Sequence, residues 1–164
     1  MRCFLLILFF LTQLTCQENL AVDHFAPVAN MTDLIHRSVW NLVRVLVCKG
    51  IRWHSYSDYG CYCGLGGEGP TVNEIDQCCY THDKCYAQLR TDNTMCVLPH
   101  AVPYDWDCHT DKPINCDKFW NMFDCQKEAC ACDRDFAECL LQVFKVIGMN
   151  PGDPPPEVTC PTSE

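Results

Sequence analysis

The sequence predicts a mainly α-helical, disulfide-rich domain. Three observations carry that expectation: 16 cysteines among 164 residues, an apolar leader, and three later segments that read as helices. The leader is Met1-Arg2-Cys3 followed by FLLILFFLTQLT. One basic residue and a short apolar run read as a secretory signal peptide, residues 1–16, rather than a membrane span. Its removal takes Cys3 and Cys16 and leaves fourteen cysteines, an even number. In an oxidising compartment an even count reads as a disulfide framework. A zinc cluster would need free thiolates, which a secreted chain rarely keeps. The expected location is extracellular.

The elements follow in order. Residues 17–37 carry no cysteine and only weak periodicity, and they read as a propeptide ending at Arg37. Asn30-Met31-Thr32 within it is a glycosylation sequon. The body, residues 38–164, is expected to be one domain. Ser38 can cap a helix containing Val39, Trp40, Leu42, Val43, Val45, Leu46 and Val47. Apolar residues cover most of its perimeter, so Val39 and Trp40 either join the core or face a lipid surface. A second helix is expected over residues 73–89 with Asn73 as N-cap, and a third from about Lys118 to Val146. Between them, YDWDC alternates enough for a short strand or hairpin within residues 96–116.

The second and third helices can be set against each other. Cys78 and Cys85 are seven residues apart, as are Cys132 and Cys139. Seven residues is about two turns, so each pair lies on one helix face. Antiparallel packing allows Cys78–Cys139 and Cys85–Cys132 in a single register. That register sets His82 level with residue 135 and brings Asp133 within about 3 Å of helical rise. Asp83 points about 100° away from His82, which leaves it for another task.

A charge of −9 argues against nucleic acid and against strong attraction to anionic membranes. It leaves neutral lipid surfaces open. From Ser38 onward ten basic residues face eighteen acidic ones.

The densest chemistry lies in Tyr59–Tyr86, YGCYCGLGGEGPTVNEIDQCCYTHDKCY. Five glycines within ten residues let backbone approach a ligand closely. Phosphate cradling is one reading, but neither P-loop nor dinucleotide-fold spacing is present. A hard cation held by carbonyls and one carboxylate is another, and calcium suits such oxygen ligands. A turn with no ligand is the third.

YGCYCGLGG and CCYTHDKCY resemble the calcium-loop and active-site-helix motifs of the secreted phospholipase A2 family. The likeness covers nearly all of residues 38–160, with spacing similar to the group I, pancreatic and elapid type. It implies that family's fold: an N-terminal helix, a calcium loop, two long antiparallel helices and a small β-hairpin. It implies the pairings Cys48–Cys108, Cys61–Cys160, Cys63–Cys79, Cys78–Cys139, Cys85–Cys132, Cys96–Cys125 and Cys116–Cys130. It further implies that Tyr62, Gly64, Gly66 and Asp83 hold Ca2+, with His82 as general base. Asp133 would orient His82, Tyr86 and Tyr104 would bond Asp133, and the Gly64 N–H would hold the oxyanion. The implied reaction is hydrolysis of the sn-2 ester of a glycerophospholipid. Ser38 falls on the usual mature N-terminus, which implies an activating protease at Arg37. The expected partner is a neutral phospholipid membrane or micelle surface, and a monomer is expected. A catalytically silent binding protein on the same scaffold is the alternative, whose mark would be loss of His82 or Asp83. The chain departs from the family pattern in the order Pro70-Thr71, in Asn73 for an aspartate, and in a shorter Cys48–Cys61 segment.

Overall fold

The computed structural model describes residues 31–64, 66–92 and 96–161. The signal peptide, the Asn30 sequon and residues 17–30 of the propeptide segment lie outside the described residues. Among the described residues three α-helices make the frame: α1 (Met31–Cys48), α2 (Glu74–Asp92) and α3 (Asp124–Ile147). Single 3-10 turns occur at Trp53–Ser55 and Pro99–Ala101.

Helix α1 begins at Met31, seven residues before the expected cap. Ser38 therefore stands inside the helix and does not cap it. The Arg37–Ser38 bond lies in continuous helical backbone. Val43, Val45 and Leu46 are buried, whereas Val39, Trp40 and Val47 are exposed. The two readings of this helix thus divide by face. Lys49, just past its end, is buried and donates from Nζ to the carbonyls of His109 and Lys112. This ties the helix to the segment that Cys48–Cys108 also holds.

Helix α2 starts where the sequence indicates. Asn73 Oδ1 accepts the Asp76 N–H at 3.1 Å, an N-cap bond to the third helical residue. Ile75, Cys78, Cys79, Tyr86 and Leu89 are its buried apolar residues, and the helix packs chiefly on α3. Helix α3 starts at Asp124, not near Lys118, because residues 118–123 take a separate turn. Its N-terminus is marked by Gln126, whose Oε1 accepts the Phe123 N–H at 3.2 Å. It ends at Gly148, whose φ of 73° supplies the left-handed cap. Ala129, Cys130, Ala137, Leu140 and Phe144 give it a buried face.

Seven disulfides close the domain, and all seven expected pairings occur. Cys78–Cys139 and Cys85–Cys132 run α2 antiparallel to α3 in the expected register. Cys61–Cys160 brings the tail back to the glycine loop, where Gly60 N–H donates to Val158 at 3.0 Å. The expected hairpin reduces to one antiparallel bridge, Asp107 to Asn115. Asn121 explains part of this, because it captures the backbone of Asp105 with its side chain and takes the place of a partner strand.

Candidate active site

The site is built on the paired faces of α2 and α3. His82 Nε2 lies 2.8 Å from Asp133 Oδ1. Asp133 is fully buried and the His82 side chain is 12% exposed. Tyr86 donates its hydroxyl to the same oxygen at 2.9 Å, and the Tyr104 hydroxyl donates to Asp133 Oδ2. The four residues arrive from α2, α3 and the 102–106 segment. Burial, and then the charge of Asp133, push both tyrosine hydroxyls upward, so they remain protonated donors. Three donors on one buried carboxylate offset much of the cost of burying its charge.

This geometry fixes the imidazole. A carboxylate accepts only, so His82 must carry its proton on Nε2. In the neutral ring Nδ1 then carries the lone pair, and it bonds to no described residue. Phe136 packs over the imidazole at a 4.7 Å centroid separation, and Tyr86 meets it edge-on at 4.9 Å. The orientation is thus set by packing as well as by the hydrogen bond.

The glycine loop is held to α2 by a residue that sequence reasoning missed. Asp76 is fully buried, and its carboxylate accepts the N–H groups of Cys61, Tyr62 and Val72 at 2.7 to 3.0 Å. An acidic residue in the first turn of α2 was the available signal, but first-turn acids usually face solvent. Gly60 belongs to the same arrangement. At φ 63°, an added Cβ would stand 2.5 Å from Asp76 Cγ. Gly64, at φ 153°, would drive a Cβ to within 2.5 Å of the Ser57 carbonyl oxygen. Cys63–Cys79 fastens the loop a second time.

Asp83 is half-buried and makes no hydrogen bond or ion pair among the described residues. Burial raises its carboxyl above the ordinary 3.8; His82 and Lys84 oppose this and Asp76 adds to it. The carbonyls of Tyr62, Gly64 and Gly66 accept no hydrogen bond from described residues. No cluster of three or more His, Cys, Asp or Glu side chains suited to a metal exists among the described residues. A cation held by Asp83 and these carbonyls would have an all-oxygen donor set, which suits a hard ion such as calcium. Their lack of hydrogen-bond partners among the described residues fits that group.

His100 is a second residue absent from the sequence reading. Its ring stacks on Tyr86 at 4.3 Å and 10°. Desolvation first, then His82, hold it below its ordinary 6.5. Nothing in the flanking sequence signals this contact.

Residues 39–147 match the family model described as Phospholipase A2. A phospholipase A2 from Bos taurus is 35% identical over 121 residues, covering 70% of this chain and 81% of the bovine protein. The matched span contains the whole His82–Asp133 constellation and the loop that Asp76 anchors, and the chain belongs to the phospholipase A2 family of enzymes.

Proposed function

We propose that this protein is a secreted, calcium-dependent phospholipase A2 that hydrolyses the sn-2 ester of glycerophospholipids to a lysophospholipid and a fatty acid. The carrying observation is the His82–Asp133 pair with its fixed tautomer, beside the unpartnered Asp83. Nδ1 of His82 accepts a proton from water as that water attacks the ester carbonyl. Asp133 stabilises the imidazolium formed, and the two tyrosines hold Asp133 in place. The Gly64 N–H, which donates to no described backbone group, is free to meet the oxyanion. Proton return from His82 to the departing glycerol oxygen completes the turnover, with no acyl-enzyme required. Asp83 and the carbonyls of Tyr62, Gly64 and Gly66 would hold calcium, which supplies charge for the lipid phosphate and the ester carbonyl.

No helix among the described residues is long and apolar enough to cross a membrane, which is compatible with a secreted protein. Activation by cleavage after Arg37 remains part of the proposal. The scissile bond lies within α1, so cleavage would require local opening of that helix.

The test is release of fatty acid from phosphatidylcholine with calcium or with chelator, using protein cut and uncut at Arg37. Calcium-dependent sn-2 release supports the reading. Calcium binding without turnover in the cut form would leave the silent binding protein instead.

A further inference from the structure

The turn before α3 inverts the usual pattern of burial. In Phe119-Trp120-Asn121-Met122-Phe123 the polar residue is the one inside. Asn121 is 2% exposed, while Phe119, Trp120, Met122 and Phe123 are 82, 69, 70 and 59% exposed. Nothing about the asparagine is adventitious. Its Oδ1 accepts the Asp105 N–H at 2.7 Å, and its Nδ2 donates to the carbonyls of Asp105 and Cys116 at 2.8 and 2.7 Å. Cys116–Cys130 and Cys96–Cys125 clamp the two ends of the turn. Gln126 adds a bond from Nε2 to the Pro103 carbonyl at 2.9 Å. Four large apolar side chains are thus held outward on a cross-linked base.

We propose that this turn is a membrane-insertion element that docks the enzyme on a zwitterionic phospholipid surface; the proposal rests on the lipid-hydrolase reading above. Contiguous exposed apolar side chains mark an interaction surface. Four exposed side chains on one short turn suit a deformable lipid surface, which needs no preformed pocket. Phe119 and Trp120 meet edge-to-face at 5.2 Å, and tryptophan favours the headgroup level of a bilayer. The local charge selects the lipid. Lys118 is engaged by Asp107, while Asp117 and Asp124 flank the tip exposed. Those carboxylates, in a chain of charge −9, disfavour anionic headgroups. A second copy of the chain is a poorer fit, since the exposed Asp117 and Asp124 beside the tip would meet their like in a symmetric contact. The anchorage also has a catalytic address. Asn121 and Gln126 grip Asp105 and Pro103, the two neighbours of Tyr104. The inserting tip is thereby held at a fixed relation to Asp133.

The experiment uses vesicles of diether phosphatidylcholine, which carry no ester and report binding alone. Full-length F119A/W120A and M122S/F123S variants are compared with the native protein by vesicle sedimentation. Near-ultraviolet circular dichroism checks their fold. Each folded variant is expected to lose about tenfold or more in partition to these vesicles. Each should still hydrolyse a dispersed short-chain phosphatidylcholine at the native rate. Undiminished vesicle partition in both folded variants would overturn the proposal, as would loss of binding only on replacing Trp40. Native protein that self-associates through the turn but never binds vesicles would overturn it in favour of a second copy. If native protein binds vesicles through the turn yet hydrolyses no phospholipid, the enzymatic reading fails while the insertion element stands.

Discussion

Asp133 shows how much one buried carboxylate can organise. It accepts from His82, Tyr86 and Tyr104, and each bond removes a degree of freedom from the imidazole or from its support. Replacing His82 by Gln removes the base but keeps a side chain of similar size. Turnover is expected to fall by about 10²–10⁴ or more with little change in melting temperature, which stopped-time hydrolysis and calorimetry would read together. Tyr104→Phe leaves Asp133 with two donors. A stability loss of about 1–3 kcal/mol in denaturant titration and only a modest rate loss are expected. His100 offers a pH test. Its folded pKa lies below the unfolded value of 6.5, so the unfolded chain binds this proton more readily. Its contribution is therefore present above pH 6.5 and lost as pH falls from there towards the folded pKa. An imidazole NMR titration should place the His100 midpoint below 6.5 in native protein, and a midpoint above it would contradict the stacking argument.

At the scale of elements, the glycine loop depends on Asp76 and the helix pair depends on its two staples. Asp76→Ala would strand three backbone N–H groups. A destabilisation of about 3 kcal/mol or more is expected, along with a weakened calcium response, measurable by denaturant titration and calorimetric titration. Asp83→Lys should abolish calcium binding while the helices persist. The sign of the Asp83 effect can be checked without mutation. Burial raises its pKa, so in the cation-free fold it favours the protonated form. That stability is present below 3.8 and lost as pH rises through the raised folded value. Calcium should then raise the melting temperature more near neutral pH than near pH 4. Equal shifts at both would remove Asp83 from the ligand set.

At the scale of the molecule, seven cross-links allow a modest helical core to hold buried charge. They also bring distant parts of the chain to one site. Cys61–Cys160 ties the tail to the loop, and Cys85–Cys132 brings α3 to His82. A C85S/C132S pair should remain largely helical yet lose most activity, because the imidazole and Asp133 no longer share a fixed register. Circular dichroism and hydrolysis assays would separate the two effects.

The sequence by itself determined the cap at Asn73 and offered a register that brings Asp133 to His82. Cysteine spacing fits that register, since a heptad step keeps two residues on one helix face, and the tertiary structure fixes it through Cys78–Cys139 and Cys85–Cys132. The sequence could not place the start of α1, because residues 17–37 carry only weak periodicity and Ser38 offers a local cap that the helix runs through. It did not reveal Asp76 as the loop's anchor, His100 as a neighbour of Tyr86, or Asn121 as the buried member of an apolar run. Those assignments depend on which backbone groups lie nearby, and the partners of Asn121 and Asp76 come from separate loops. Burial is a property of the packed chain, not of a residue type. Only the tertiary structure decided, therefore, that the asparagine faces inward and the aromatic residues face out.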